Sequence, residues 1–172
     1  MFYLVRHVEP DYSEINTKIY QDFGTHMCPL TAKGCAQIKA TAKDLRLQNA
    51  SIIVASPYGR ALQTAAILSK ELGIEIVVET DLHEWLANKN YVFEDVEVAK
   101  NNLKEFDDHH GSYPIGNERD WETIEMMKTR AIRVLEKYKN YEKVIVACHG
   151  RLMQAITGLH HPSHGEIFEF EL

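Results

Sequence analysis

Three short runs of strand-forming residues, Phe2-Tyr3-Leu4-Val5, Ile52-Ile53-Val54-Ala55 and Val144-Ile145-Val146-Ala147, are apolar at every position. A strand with one wet face alternates apolar and polar residues, so an unbroken apolar run marks a strand covered on both sides. Helices supply that cover when they alternate with strands along the chain. The intervening sequence has this character. Thr31 to Leu47 carries Ala36, Ile38, Ala40, Ala42 and Leu45 among Lys and Gln, with Thr31 placed to cap its start. After Ala55, Ser56 and Pro57 read as N-cap and first helical residue, Ala61, Ala65, Leu68 and Leu72 recur at helical spacing, and Gly73 closes the segment. Ile74 to Val78 reads as a further strand, Trp121 to Tyr138 and Arg151 to Leu159 as helices, and Lys143 to Ala147 as a strand. Ile167 to Leu172 alternates like an edge strand. The pattern predicts an α/β fold, a three-layer α/β/α sandwich with a mostly parallel sheet. With 172 residues, 45% of them hydrophobic, a single domain over 1–172 is expected.

Charge and cysteine content narrow the classes of function. Nineteen Lys and Arg against 25 Asp and Glu give a formal net charge of −6, a field that repels nucleic acid and anionic lipid. Neither is expected as a partner. Cys28, Cys35 and Cys148 are odd in number and lack metal-ligand spacing, so they read as reduced, mostly buried thiols. Arg6 and His7 follow only five residues, and no apolar run approaches the roughly 20 residues of a membrane span. A cytoplasmic protein is expected. The stretches Asp11 to Pro29 and Asn88 to Asn117 read as irregular, and in such folds irregular segments over the carboxyl ends of the strands form ligand walls.

The residues that follow the strands carry the chemistry. Arg6-His7 follows the first, Ser56-Pro57-Tyr58-Gly59-Arg60 the second, and Cys148-His149-Gly150-Arg151 the third of the apolar runs. In a parallel sheet these tips point the same way. They bring cationic and imidazole side chains to one rim, with Arg60 in the first turn of its helix, where unpaired N–H groups also favour an anion. Arginine suits phosphate because its planar fork pairs bidentately with two oxygens and stays charged.

Leu4-Val5-Arg6-His7, Leu30-Thr31-x-x-Gly34-x-x-Gln37, Ala55-Ser56-Pro57-x-x-Arg60-Ala61-x-Gln63-Thr64-Ala65, Leu82-His83-Glu84 and Ala147-Cys148-His149-Gly150 together resemble, in order and spacing, the histidine phosphatase superfamily, also called phosphoglycerate mutase-like. The resemblance implies a small phosphatase that hydrolyses phosphomonoesters through a phosphohistidine on His7. It implies that Arg6, Arg60 and His149 hold the phosphate oxygens, that Glu84 is the general acid and base, and that neither metal nor other cofactor is needed. The expected partner is a small phosphorylated substrate. Ser13 falls where many members place a phosphate-contacting Asn, and Glu118 in Gly116-Asn117-Glu118-Arg119 falls where a Glu orients an arginine or caps a helix. This chain departs from the family's usual Arg-His-Gly-Glu-Thr/Ser by reading Arg6-His7-Val8-Glu9-Pro10, which removes a glycine and a hydroxyl beside the nucleophile. Phosphoglycerate mutase-type phosphoryl transfer and a non-catalytic phospho-ligand-binding module are the alternatives; the chain's small size favours the phosphatase.

Several residues also have plain readings. Asp81 is the fallback acid should Glu84 be surface charge. His160, His161 and His164, like His109 and His110, read as solvated loop histidines rather than metal ligands. Trp121, Met126 and Met127 read as packing residues.

Overall fold

A computed structural model describes residues 1–15 and 24–172. Its five-stranded sheet comprises β1 (Phe2–Arg6), β2 (Ile52–Ala55), β3 (Ile76–Val78), β4 (Val144–Cys148) and β5 (Ile167–Phe170), in the order β3-β2-β4-β1-β5. All neighbours are parallel except β5, which runs antiparallel to β1 at the edge. The helices are α1 (Gly24–Met27), α2 (Ala32–Thr41), α3 (Gly59–Leu72), α4 (Val96–Asp108), α5 (Ile124–Lys137) and α6 (Gly150–Thr157).

The unbroken apolar runs are explained by two separate cores. Leu4, Val54 and Val146 pack on one side of the sheet with Met127, Val134 and Leu152 of α5 and α6. Val5, Ile53 and Ile145, their immediate neighbours, pack on the other with Ile38 and Leu68 of α2 and α3. Successive side chains of a strand point to opposite faces, so each run feeds both cores, and each fully buried aliphatic side chain contributes about 1.5–3 kcal/mol.

Element ends differ from the expectations for local reasons. Thr31 does cap α2, accepting from Gly34 N at 2.8 Å, but the helix stops at Thr41 and Leu45–Leu47 forms a separate 3₁₀ turn started by Asp44. Helix α3 begins at Gly59, with Tyr58 rather than Ser56 as its N-cap, and the Ser56 hydroxyl, which accepts from Tyr58 N, also meets His149. Strand β3 is shorter than Ile74 to Val78, and α5 starts at Ile124 under a Thr123 cap, leaving Trp121 buried ahead of it. Helix α6 spans Gly150–Thr157 and ends on left-handed Gly158. The segment Asn88 to Asn117 is not irregular throughout: it holds α4. Its apolar stripe is narrow, with Phe106 alone buried, so a mostly polar sequence concealed a helix that Asp95 caps through Glu97 N.

The Thr31-x-x-Gly34-x-x-Gln37 run is a clamp on the loop after His7. Thr31 N and its hydroxyl reach Glu9, Gln37 Oε1 accepts from Glu9 N at 3.2 Å, and Gly34 sits under the Glu9 backbone. A β-carbon at position 34 would lie 2.4 Å from the Glu9 carbonyl oxygen. Gly→Ala inside an open helix stabilises by about 1 kcal/mol, whereas here the collision dominates. Gly34→Ala is therefore expected to lower stability by about 1–3 kcal/mol in urea unfolding; equal or greater stability would show that the Glu9 loop yields freely.

Candidate active site

The parallel register sets the site. Arg6 lies opposite Cys148 and Ala55 opposite Ala147, so His7, His149 and Ser56 leave the sheet together. His7 N donates to Cys148 O at 2.9 Å and Ser56 N to Ala147 O at 3.0 Å, which fixes all three residues to one scaffold.

His7 is 4% exposed. Its Nδ1 lies 2.9 Å from the Val8 carbonyl, which can only accept, so the ring hydrogen sits on Nδ1 and Nε2 keeps its lone pair. Arg60 Nε donates to that Nε2 at 3.2 Å. Burial first, then the Arg60 charge, pushes His7 down to about 3, so the imidazole is neutral across the working range of most enzymes. A neutral ring with its lone pair on Nε2 has the form that an imidazole nucleophile needs. Val8, where the family usually has glycine, keeps negative φ; it is buried in the α2/α3 core, and its N–H donates to Thr64 Oγ1 at 3.3 Å. A glycine's backbone freedom is not required here.

Arg60, second residue of α3, is itself 5% exposed; its Nη1 donates to Thr25 O at 2.6 Å and its guanidinium stacks 5.2 Å from the Tyr58 ring centre. Arg6 Nη1 donates to Pro162 O at 2.5 Å, while its Nε is buried without a partner among the described residues. His149 is fully buried, its ring 5.3 Å from His7, and desolvation holds it neutral. Its Nε2 meets Ser56 Oγ at 2.7 Å, and the same hydroxyl accepts from Tyr58 N. The other ring nitrogen, Nδ1, is buried without a partner among the described residues. Buried polar groups are almost always satisfied, so two nitrogens left open in one cluster mark a place for a ligand, and the tautomer in which Ser56 donates to Nε2 makes both of them donors.

Glu84 approaches from the loop after β3. Its carboxylate accepts from Trp85 N at 3.0 Å, Leu152 N at 3.2 Å and Arg151 N at 3.3 Å, which seats it on the first turn of α6, the helix that His149 begins. Its charge also acts on Arg6. Beneath it lies a network absent from the motif reading. Glu122 and Arg130 form a buried two-pronged pair at 2.6 and 2.9 Å, and Arg130 donates onward to the carbonyls of Asp81, His83 and Glu84. The signal was present: Arg130 sits on the apolar stripe of α5 between Met127 and Val134, and an arginine on a core stripe demands a buried acid. The glutamate that orients an arginine is thus Glu122; Glu118 pairs at the surface with Lys89 and caps no helix.

The remaining expected residues fall as follows. Ser13 lies on an exposed turn, its N–H bonded to Asp11 Oδ1. Asp81 contributes its carbonyl to Arg130. His109, His110, His160, His161 and His164 are exposed, yet the His164 ring lies 5.5 Å from His7, at the mouth of the cluster. No group of three or more His, Cys, Asp or Glu side chains able to hold a metal is found among the described residues.

A family model, the histidine phosphatase superfamily (branch 1), matches residues 2–170. The chain belongs to the histidine phosphatase superfamily. It is 27% identical over 160 residues to "Putative phosphoserine phosphatase 2" of Hydrogenobacter thermophilus, covering 91% of this chain and 76% of that protein. To "Uncharacterized phosphatase PhoE" of Bacillus subtilis it is 29% identical over 157 residues, 89% of this chain and 73% of that one. The solved structure of mycobacterial glucosyl-3-phosphoglycerate phosphatase superposes with a TM-score of 0.71 at 17% identity, over 96% of this chain and 87% of that one, a likeness of fold. The expected sandwich with its mostly parallel sheet is the fold of this superfamily member.

Breaking the buried pair leaves Glu122 uncompensated and three carbonyls unpartnered, so Arg130→Met is expected to cost about 3–5 kcal/mol in urea unfolding. A cost below about 1 kcal/mol would show that the pair is not needed to hold the Glu84 loop.

The depressed His7 makes folding sensitive to acid. The unfolded imidazole takes up a proton near its ordinary value of 6.5 and the folded one only near 3, so in that window protons favour the unfolded chain and stability falls as pH falls. Between pH 7 and 5, His7→Gln is expected to lose about 2 kcal/mol less stability than the parent. Equal losses would place a charged His7 in the folded protein.

Proposed function

We propose that this protein is a metal-independent phosphomonoesterase that works through a phosphohistidine at His7. The observation that carries the reading is the buried, neutral His7, whose Nδ1–H is tied to Val8 O while Nε2 faces the Arg60 guanidinium. In the first step Nε2 attacks phosphorus, the N–P bond forms, and the bond to the alcohol oxygen breaks as Glu84 gives that oxygen a proton. In the second, Glu84 takes a proton from water, the water oxygen attacks phosphorus, and the N–P electron pair returns to Nε2. Arg6, Arg60 and the His149 Nδ1–H hold the phosphoryl oxygens through both steps, so the positive charge that such transfers require is carried by the protein. Ser13, on its exposed turn, takes no part in either step.

Support also comes from the relatives, whose names describe phosphatases and phosphoglycerate mutases acting on small phosphorylated molecules. A cytoplasmic setting fits the three free thiols Cys28, Cys35 and Cys148. Among the described residues no helix is long and apolar enough to cross a membrane.

Rapid alkaline quenching during turnover of a labelled aryl phosphate is expected to trap label on the protein, because a phosphoramidate survives base and breaks in acid. Glu84→Gln should accumulate more of it, since an aryl leaving group needs little protonation while the water step lacks its base. His7→Ala should carry none and turn over at least about a hundredfold more slowly. Label persisting in His7→Ala, or phosphate retained on an isomer of the substrate, would overturn the reading in favour of another nucleophile or a mutase.

A further inference from the structure

A cavity of about 500 Å³ adjoins the phosphate cluster and shares Tyr58 with it. The Tyr58 ring centre lies 5.3 Å from that of His149 and 4.3 Å from that of His26, a second residue of the cavity wall. Such a volume holds a drug-sized ligand. The glycerate or serine part of a three-carbon phosphate fills a small part of it.

The lining is aromatic and aliphatic. Trp85, Tyr91 and Phe93 come from the loop beyond Glu84, and Ala99 and Leu103 from α4. Tyr91, Val92, Phe93 and Val96 carry the apolar surface outward, each at least half exposed, so the mouth is as apolar as the wall. Tyr91 also holds a left-handed backbone with φ 59°, a conformation that costs a bulky residue energy, and its hydroxyl meets His83 Nε2 at 3.1 Å. The aromatic rim is thereby anchored to the residue preceding Glu84.

Polar groups in the wall are few and mostly engaged. Glu94 accepts from Asn88 Nδ2 at 2.7 Å, and Lys100 turns its ammonium to Glu97 at 2.8 Å. Among the described residues Lys100 is thus the wall's one lysine or arginine, held only by an exposed ion pair, while Glu94 brings a carboxylate that repels an anion. The exception is His26: its ring is held neutral, pushed down to about 4 by burial and then by Arg60, and its buried Nδ1 has no partner among the described residues. It offers one hydrogen bond to an uncharged group.

We propose that this cavity is the leaving-group site and that the protein takes phosphomonoesters of uncharged, predominantly apolar alcohols, aryl or medium-chain alkyl, ahead of those of small hydroxy acids. The inference rests on the phosphomonoesterase reading. A carboxylate-bearing leaving group would enter a wall whose one lysine is offset by Glu94 and Glu97 and whose surface is mainly aromatic and aliphatic, whereas an apolar one removes that surface from water.

Straight-chain alkyl phosphates test it, because their leaving groups are chemically alike and differ in apolar area. From ethyl to hexyl phosphate, kcat/KM is expected to rise about two- to fourfold per methylene, the upper figure corresponding to full burial. Hexyl phosphate should exceed O-phosphoserine and 3-phosphoglycerate by at least about tenfold. In Ala99→Trp, which fills the cavity, the hexyl-to-ethyl ratio should fall towards one; each ratio is taken on one sample, so partial unfolding cancels. If that variant does not fold, Phe93→Ser at the exposed rim should lower the ratio at least about threefold. A flat series, preference for the hydroxy-acid phosphates, or ratios unmoved in the folded variants would overturn the proposal. Alkylphosphonates, which cannot be hydrolysed, ask the same question of binding by calorimetry. Chain-length-dependent affinity without turnover of any ester would uphold the cavity and overturn the phosphatase reading, while turnover with a flat series would do the reverse.

Discussion

The parallel register of β1, β2 and β4 is the constraint from which the site follows. Residues that leave three neighbouring strands at the same height share one edge, and the bonds from His7 N to Cys148 O and from Ser56 N to Ala147 O carry that alignment one residue beyond the strands. From there each element contributes what its first turn provides. Helix α3 delivers Arg60, and α6 delivers His149 together with the two amides on which Glu84 sits. The clustered side chains therefore stand on backbone that the sheet holds in place, the kind of placement that the proposed electrostatic catalysis needs.

Electrostatics within the cluster are arranged by burial more than by pairing. Two guanidiniums stand at the site with no carboxylate bridging them among the described residues, and the imidazoles beside them are kept neutral because desolvation and the arginine charges act in the same direction. That leaves a net positive cleft inside a chain of formal charge −6. The field that repels polyanions at long range does not prevent a dianion from being held at short range, since opposite charges interact far more strongly where water is excluded.

Much of this was legible in the residues. Apolar runs of unbroken character gave away a sheet covered on both faces, and the Arg6-His7, Arg60 and Cys148-His149 tips announced one shared cluster, because strand ends in a parallel sheet have a fixed destination. Legibility failed where a role depends on a distant partner. Ser56 looked like a helix cap until its hydroxyl was found on His149. Helix α4 was concealed because most of it faces away from either core. Glu118 and Glu122 stand four residues apart in sequence, and only the fold shows which of them meets an arginine. Gly34 and Gln37 are motif positions whose work is mechanical: they hold Glu9 so that the His7 loop has one conformation.

The position of β1 has a consequence for how the molecule assembles. Its neighbours on either side are β4 and β5, so the strand carrying Arg6 pairs with residues 144–148 and 167–170. Contacts of such sequence separation are the slowest to form, because the loop must close before any pairing rewards it. During synthesis β2, α3 and β3 have their partners early, while the first strand has none until the last ones emerge. The cluster of His7, Arg60 and His149 is accordingly absent from any folding unit that lacks β4, and it comes together only in the event that pairs the first strand with residues 144–148.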